Sequence, residues 1–156
     1  MRPTLNSLSV SVRSTMSDLL NAHLADCMDL HARAKHSHWN VRGPRFLTLH
    51  ELFDSVAETA DELADEIAER CVQLGGDAHG TVFDSAAASR IPEPRATLAD
   101  EGAHVRHIAH SLAAFGASAR AAIDTASAAG DQATADLFTE VVRKTDKSLW
   151  MVESHF

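Results

Sequence analysis

Tyrosine is missing altogether from this chain of 156 residues, and proline (4), glycine (7) and aromatic residues (5%) are scarce. So few breakers and rings leave little material for a sheet, and no stretch alternates apolar with polar residues as a half-buried strand does. Only two cysteines occur, Cys27 and Cys71. Neither has metal-type spacing and both fall on apolar arcs of helical segments, so buried thiols in a reducing compartment are expected rather than a disulfide scaffold. No apolar run of about 18 residues exists, and the N-terminus lacks a basic region followed by an apolar core. A soluble, cytoplasmic chain with no membrane contact is the expectation. Basic charge is also short, with 14 Lys and Arg against 22 Asp and Glu, a formal net charge of −8. That balance argues against broad attraction to nucleic acid and favours cations.

What is present is helix. Hydrophobic residues make up 45% of the chain, Ala and Leu are abundant, and the length suits one domain. Residues 1–12 read as a tail ordered by packing on a neighbour, and residues 13–156 as one helical domain. From about Thr15 to Asn40, Met16, Leu20, Leu24, Cys27 and Ala34 recur at helical spacing, and His31 and His38 share their stripe. The break Val41-Arg42-Gly43-Pro44 is a tight connection with Pro44 suited to a first helical turn. The next helix, Pro44 to Leu74, places Leu52, Phe53, Val56, Ala60, Leu63, Ala64, Ile67 and Leu74 on one arc and stops at Gly75-Gly76. From Asp77 to Arg95 the pattern loosens around Pro92 and Pro94, with a small apolar cluster at Val82 and Phe83 fit for one short helix. Thr97 with Asp100 resembles a cap; Leu98, Val105, Ile108, Leu112, Phe115, Ala119 and Ala122 mark a third long helix ending near Gly130. Asp131 caps a fourth, carrying Leu137, Val141, Thr145, Leu149 and Val152. Short, long and short connections define an all-α four-helix bundle whose crossover runs its length.

The chemistry lies beside the apolar arc of the central helix. His50, Asp61, Asp54, Asp65, Glu58 and Glu69 share one ridge, and like charges at helical spacing disfavour the helix unless cations sit among them. His50 with Asp54 and Asp65 with Glu69 are i,i+4 pairs, each able to hold a cation such as iron that accepts imidazole and carboxylate; His38 adds a third nitrogen from the preceding helix. Asp54 and Asp65, however, are separated by a rise of roughly 16 Å, whereas ligands lie about 2 to 2.6 Å from their metal. One helix cannot close the site. Other helices of the same bundle could complete it, but an intrachain di-iron site needs Glu-x-x-His units on two helices, and the third and fourth helices hold only one, Glu101 to His104, besides His107, His110 and Glu140. Alternatively, two subunits pairing their central helices antiparallel about a two-fold axis near Ala60 would set His50 and Asp54 against Asp65 and Glu69, twice.

The run HSHWNVRGPRFLTLHELFD, with DELADEIAERCVQLGG and the C-terminal TADLFTEVVRKTDKSLWMVES, resembles the Dps family of mini-ferritins over nearly the whole chain. The resemblance implies a ferritin-like four-helix bundle with a short extra helix in the crossover, assembled as a hollow homo-oligomeric shell of twelve subunits. It implies an intersubunit ferroxidase centre that oxidises Fe(II), with hydrogen peroxide in preference to oxygen, stores ferric mineral (iron as Fe2+ and Fe3+) and so protects DNA from oxidative damage. Matched residue by residue, His38, His50 and Asp54 come from one subunit and Asp65 and Glu69 from its mate. Zinc or another divalent cation is expected to be able to take iron's place. Asp136 matches a pore position at the start of the last helix, with Asp131 and Glu140 as weaker candidates, and Glu51, Glu58 and Glu62 are placed to nucleate mineral.

Several side chains carry two readings. Trp39 could intercept stray oxidant, though an indole at a helix end is more often a packing anchor. His31 reads as a satisfied core histidine, His104, His107 and His110 as a solvent-facing cluster, and Asp131 as a cap before a pore residue. No lysine precedes Lys35, so direct DNA binding is expected to be weak or absent. The rival reading is a nucleoid-associated structural protein that compacts DNA with a vestigial metal site.

Overall fold

The computed structural model describes residues 1–93 and 97–156; the expected loosening at Pro94 and Arg95 lies outside them. Five helices follow in order: α1 (Val10–Asn40), α2 (Phe46–Gln73), α3 (Val82–Ala88), α4 (Glu101–Ala128) and α5 (Gln132–Glu153). The helix α1 packs along α2 and α4 along α5, while α1 lies beside α4 and α2 beside α5. The α1–α4 side of the bundle therefore faces away from the α2–α5 side.

Local chemistry sets the boundaries. The Ser9 hydroxyl accepts from Val12 N–H at 3.3 Å, so α1 begins at Val10 and takes in residues read as tail. The residues before it rest on their own chain, because Arg2 donates to the carbonyls of Gly75 at 2.6 Å and Gly76 at 2.7 Å. Gly75 has φ +86°, and a Cβ there would sit 2.7 Å from Arg2 O, so glycine is required both for the left-handed turn and for that approach. The second helix starts at Phe46 rather than Pro44. In front of it Arg45 donates from Nε to Glu101 at 2.7 Å and from Nη1 to His155 O at 2.7 Å. This bond holds the Glu101 carboxyl below its ordinary range and ties the starts of α2 and α4 to the end of the chain. Asp100, not Thr97, caps the fourth helix by accepting from Ala103 N–H at 2.7 Å. Leu98 consequently lies outside it. Asp131 caps α5 as expected.

The apolar arcs meet in one core. Phe53, Phe115 and Phe138 are fully buried among Met16, Leu20, Leu63, Ile67, Ile108 and Leu112, each large side chain contributing about 1.5–3 kcal/mol on removal from water. The thiols of Cys27 and Cys71 are buried and unpaired. The short α3 does form, but Val82 and Phe83 point outward, 77% and 87% exposed. Polar bonds hold the crossover instead. Buried Asp26 accepts from Arg90 N–H at 2.7 Å and from its guanidinium at 2.6 Å, and Ser85 donates to Ala25 O at 3.0 Å.

One core atom is left without a partner among the described residues, the hydroxyl of Thr145 on α5, whose methyl faces Gly116 of α4. Replacing Thr145 with valine keeps the shape and removes the unpaired group. Thermal unfolding of Thr145→Val should show a gain of about 1 kcal/mol; a loss would mean that the hydroxyl bonds in solution.

Candidate metal centre

Half of a metal site is built where α1 ends and α2 begins. The His38 carbonyl belongs to the last turn of α1, where the helix no longer supplies a donor. His50 Nδ1 donates to it at 2.9 Å, and His38 Nδ1 donates to the His50 carbonyl at 2.7 Å. A carbonyl can only accept, so both rings carry hydrogen on Nδ1 and keep the Nε2 lone pair for a cation. The rings stack with centroids 3.7 Å apart and 21° between their planes. Asp54, one turn beyond His50, brings Oδ1 to 3.9 Å from His38 Nδ1.

A cation already stands there. Lys35 Nζ, one turn before His38 on α1, lies 2.6 Å from Asp54 Oδ1 and 5.8 Å from the centre of the Trp39 ring. Its hydrogen bond, helped by the nearby imidazoles, holds the Asp54 carboxyl below the ordinary carboxylate range. The sequence reading missed Lys35; its i,i+3 relation to His38 was the available signal. Trp39 is 68% exposed, so most of its indole lies outside the packing of its own chain.

The second pair is separate. Asp65 and Glu69 are exposed further along α2, roughly 16 Å of helix beyond Asp54. Among the described residues, no three His, Cys, Asp or Glu side chains enclose a point where a metal could sit. Glu58, Asp61, Asp65 and Glu69 have no cationic partner among the described residues. Next to Asp61 and Asp65 lies a hollow of about 540 Å³ walled by the small residues Ala64, Ala68, Ala78 and Gly80.

The outlying candidates divide. Asp136 is exposed one turn into α5, and Glu51 and Glu58 are exposed on α2. Asp131 is withdrawn as a pore residue: its side chain is 2% exposed and paired with Arg70 at 2.8 Å. Glu140 and Glu62 come together at a residue not singled out from sequence, Lys144, at 3.3 Å and 3.9 Å, with Glu66 at 3.0 Å. These bonds, chiefly that to Glu66, raise the Lys144 ammonium above its ordinary value. His31 is half-buried and bonded to Ala57 O at 3.1 Å. His104 and His107 are corrections: both are buried, at 3% and 8% exposure, and only His110 faces solvent. No helix among the described residues is long and apolar enough to cross a membrane.

The family model of the ferritin-like domain matches residues 17–156, so the bundle, with its crossover and helix-borne imidazoles and carboxylates, is a ferritin-like one. Relatives narrow the class. The DNA protection during starvation protein of Agrobacterium fabrum (strain C58) is 37% identical over 152 residues, 97% of this chain and 94% of that protein. Dps from Mycobacterium smegmatis superposes with a TM-score of 0.92 at 29% identity, covering 99% of this chain and 88% of that one. DpsA14 from Streptomyces coelicolor gives 0.90 at 31%, covering 97% and 90%. The chain belongs to the Dps family of DNA protection during starvation proteins.

If the Lys35 ammonium competes with a metal for Asp54, removing it should help binding. Lys35→Met is expected to tighten divalent-cation binding several-fold in a calorimetric titration, because a like charge beside the ion is lost. Weaker binding would instead make Lys35 a support for Asp54.

Proposed function

We propose that this protein oxidises Fe(II) at sites shared by two-fold-related subunits and stores the ferric product inside a hollow shell of twelve copies. His38, His50 and Asp54 come from one subunit in this reading, and Asp65 and Glu69 from its mate. The observation that carries it is the half-site itself: two stacked imidazoles, each held through Nδ1 on the other residue's carbonyl, with Asp54 close to the His38 ring, and two carboxylates, unpaired among the described residues, beyond the reach of the same chain. An antiparallel pairing about Ala60 brings the halves together twice. Exposed Trp39 at the end of α1 and exposed Phe46 and Leu47 at the start of α2 supply apolar surface for that contact, and the hollow beside Asp65 supplies a concave face.

The chemistry follows from the donors. Imidazole nitrogen suits Fe(II) before reaction, and the hard oxygens of Asp54, Asp65 and Glu69 favour Fe(III) after it. Hydrogen peroxide takes one electron from each of two Fe(II) ions together with two protons, giving water and no hydroxyl radical. Oxygen is the alternative acceptor. Asp136 is proposed to line the pores through which Fe(II) enters, while Glu51 and Glu58, unencumbered by lysine, are better nucleation candidates than Glu62. Protection of DNA, named in the relatives, is proposed to arise here from removal of iron and peroxide. Arg2, the only Lys or Arg in residues 1–12, is occupied with Gly75, Gly76 and Asp77, which does not favour a role for these residues in compaction.

Asp54→Ala and Glu69→Ala should each slow peroxide-driven Fe(II) oxidation by at least roughly tenfold, the scale on which even outer partners of metal ligands matter. Solution mass must show the assembly retained. Undiminished oxidation would refute the assignment. A gel shift at low salt without Mg2+ should show no tight complex with duplex DNA; a tight complex would favour compaction.

A further inference from the structure

A second set of nitrogen donors lies in the groove between α1 and α4, on the side of the bundle away from α5. A cavity of about 590 Å³ opens there, lined by His36 and Asn40 of α1 and by His104 and His107 of α4. His104 and His107 are i,i+3 on one helix face, spaced to present two ring nitrogens to one ion. His104 Nδ1 lies 3.2 Å from Ser37 Oγ, which leaves Nε2 uncommitted. His107 is more than nine-tenths buried and makes no side-chain hydrogen bond among the described residues. Its ring nitrogens are not among the sealed, unpaired atoms of the core and so open onto the cavity, free for a ligand there.

We propose that His36, His104 and His107 form a second cation site, taking a borderline divalent ion such as Zn2+ and bridging the α1–α2 hairpin to the α4–α5 hairpin. Three neutral imidazoles with a water in the fourth position match the preferences of zinc and are poor ligands for Mg2+ or Ca2+. Burial, with Arg33 nearby, lowers the His107 pKa to about 4, so the ring is neutral and able to bind at neutral pH. Arg33 is itself balanced by Asp29 at 2.9 Å and donates to Ile91 O and Pro92 O. As placed, the three rings do not yet enclose an ion. Closure falls to His36, which is exposed and whose ring, among the described residues, bonds only the Asn40 amide, at 3.5 Å.

The test is Zn2+ titration of the Asp54→Ala/Glu69→Ala protein, in which the proposed interface sites are crippled, with and without His36→Ala or His107→Gln. We expect about one Zn2+ per chain and a raised thermal midpoint. His36→Ala, at an exposed position, should weaken uptake at least roughly tenfold and abolish the rise in midpoint. Co2+ in place of Zn2+ should give intense visible bands of a tetrahedral nitrogen site, lost in both histidine variants. Absence of uptake, or uptake unchanged by His36→Ala, overturns the proposal. No arm reads iron oxidation, so this site and the ferroxidase reading stand or fall separately.

Discussion

A straight helix cannot bring together two side chains that start eleven residues apart. Asp54 and Asp65 of α2 are held at roughly 16 Å by the rise of the backbone, and the apolar arc beside them, from Leu52 to Ile67, is committed to the core. The helix can neither bend nor rotate to close a site without exposing Phe53 and Leu63. Asp65 and Glu69 therefore need donors from outside their own stretch of helix. The one Glu-x-x-His unit on α4 and α5, Glu101 to His104, is tied to Arg45 and Ser37 instead, which leaves a second copy of the chain as the simplest source.

The hairpin of α1 and α2 does more than fill the core. Ending α1 at Asn40 leaves the His38 carbonyl free, and starting α2 at Phe46 puts His50 under it, so each ring is oriented by the other residue's backbone. Hydrogen bonds of this kind to the far ring nitrogen fix which nitrogen faces a metal. Lys35 neutralises Asp54 meanwhile, so the half-site is not an unbalanced cluster of charge in a lone subunit. On the α2–α5 side, Lys144 plays the same part for Glu62, Glu66 and Glu140.

Much of this could be read in the sequence because it is local. The arcs of α1, α2, α4 and α5 follow the helical period, Asp131 is a cap three residues from its donor, and His50 with Asp54 is one turn of one helix. What was missed depends on partners distant along the chain. Lys35 reaches Asp54 across the hairpin, and Arg70 of α2 reaches Asp131 at the start of α5 and buries it. His104 and His107 looked solvent-facing because nothing near them in sequence reveals that α1 covers that face of α4. Val82 and Phe83 did mark the short helix α3, yet a helix of seven residues held by Ser85 and the Thr81 cap has no need to turn its apolar side chains inward.

Sharing of ligands between subunits is tested most directly by mixing two inactive proteins. Asp54→Ala and Glu69→Ala chains, unfolded together and reassembled in equal amounts, form mixed pairs in which one site has lost both ligands and the other has lost none. Random pairing should restore Fe(II) oxidation to about a quarter of the parent rate. A site contained within one chain would show no recovery in any mixture, and that result would contradict the account.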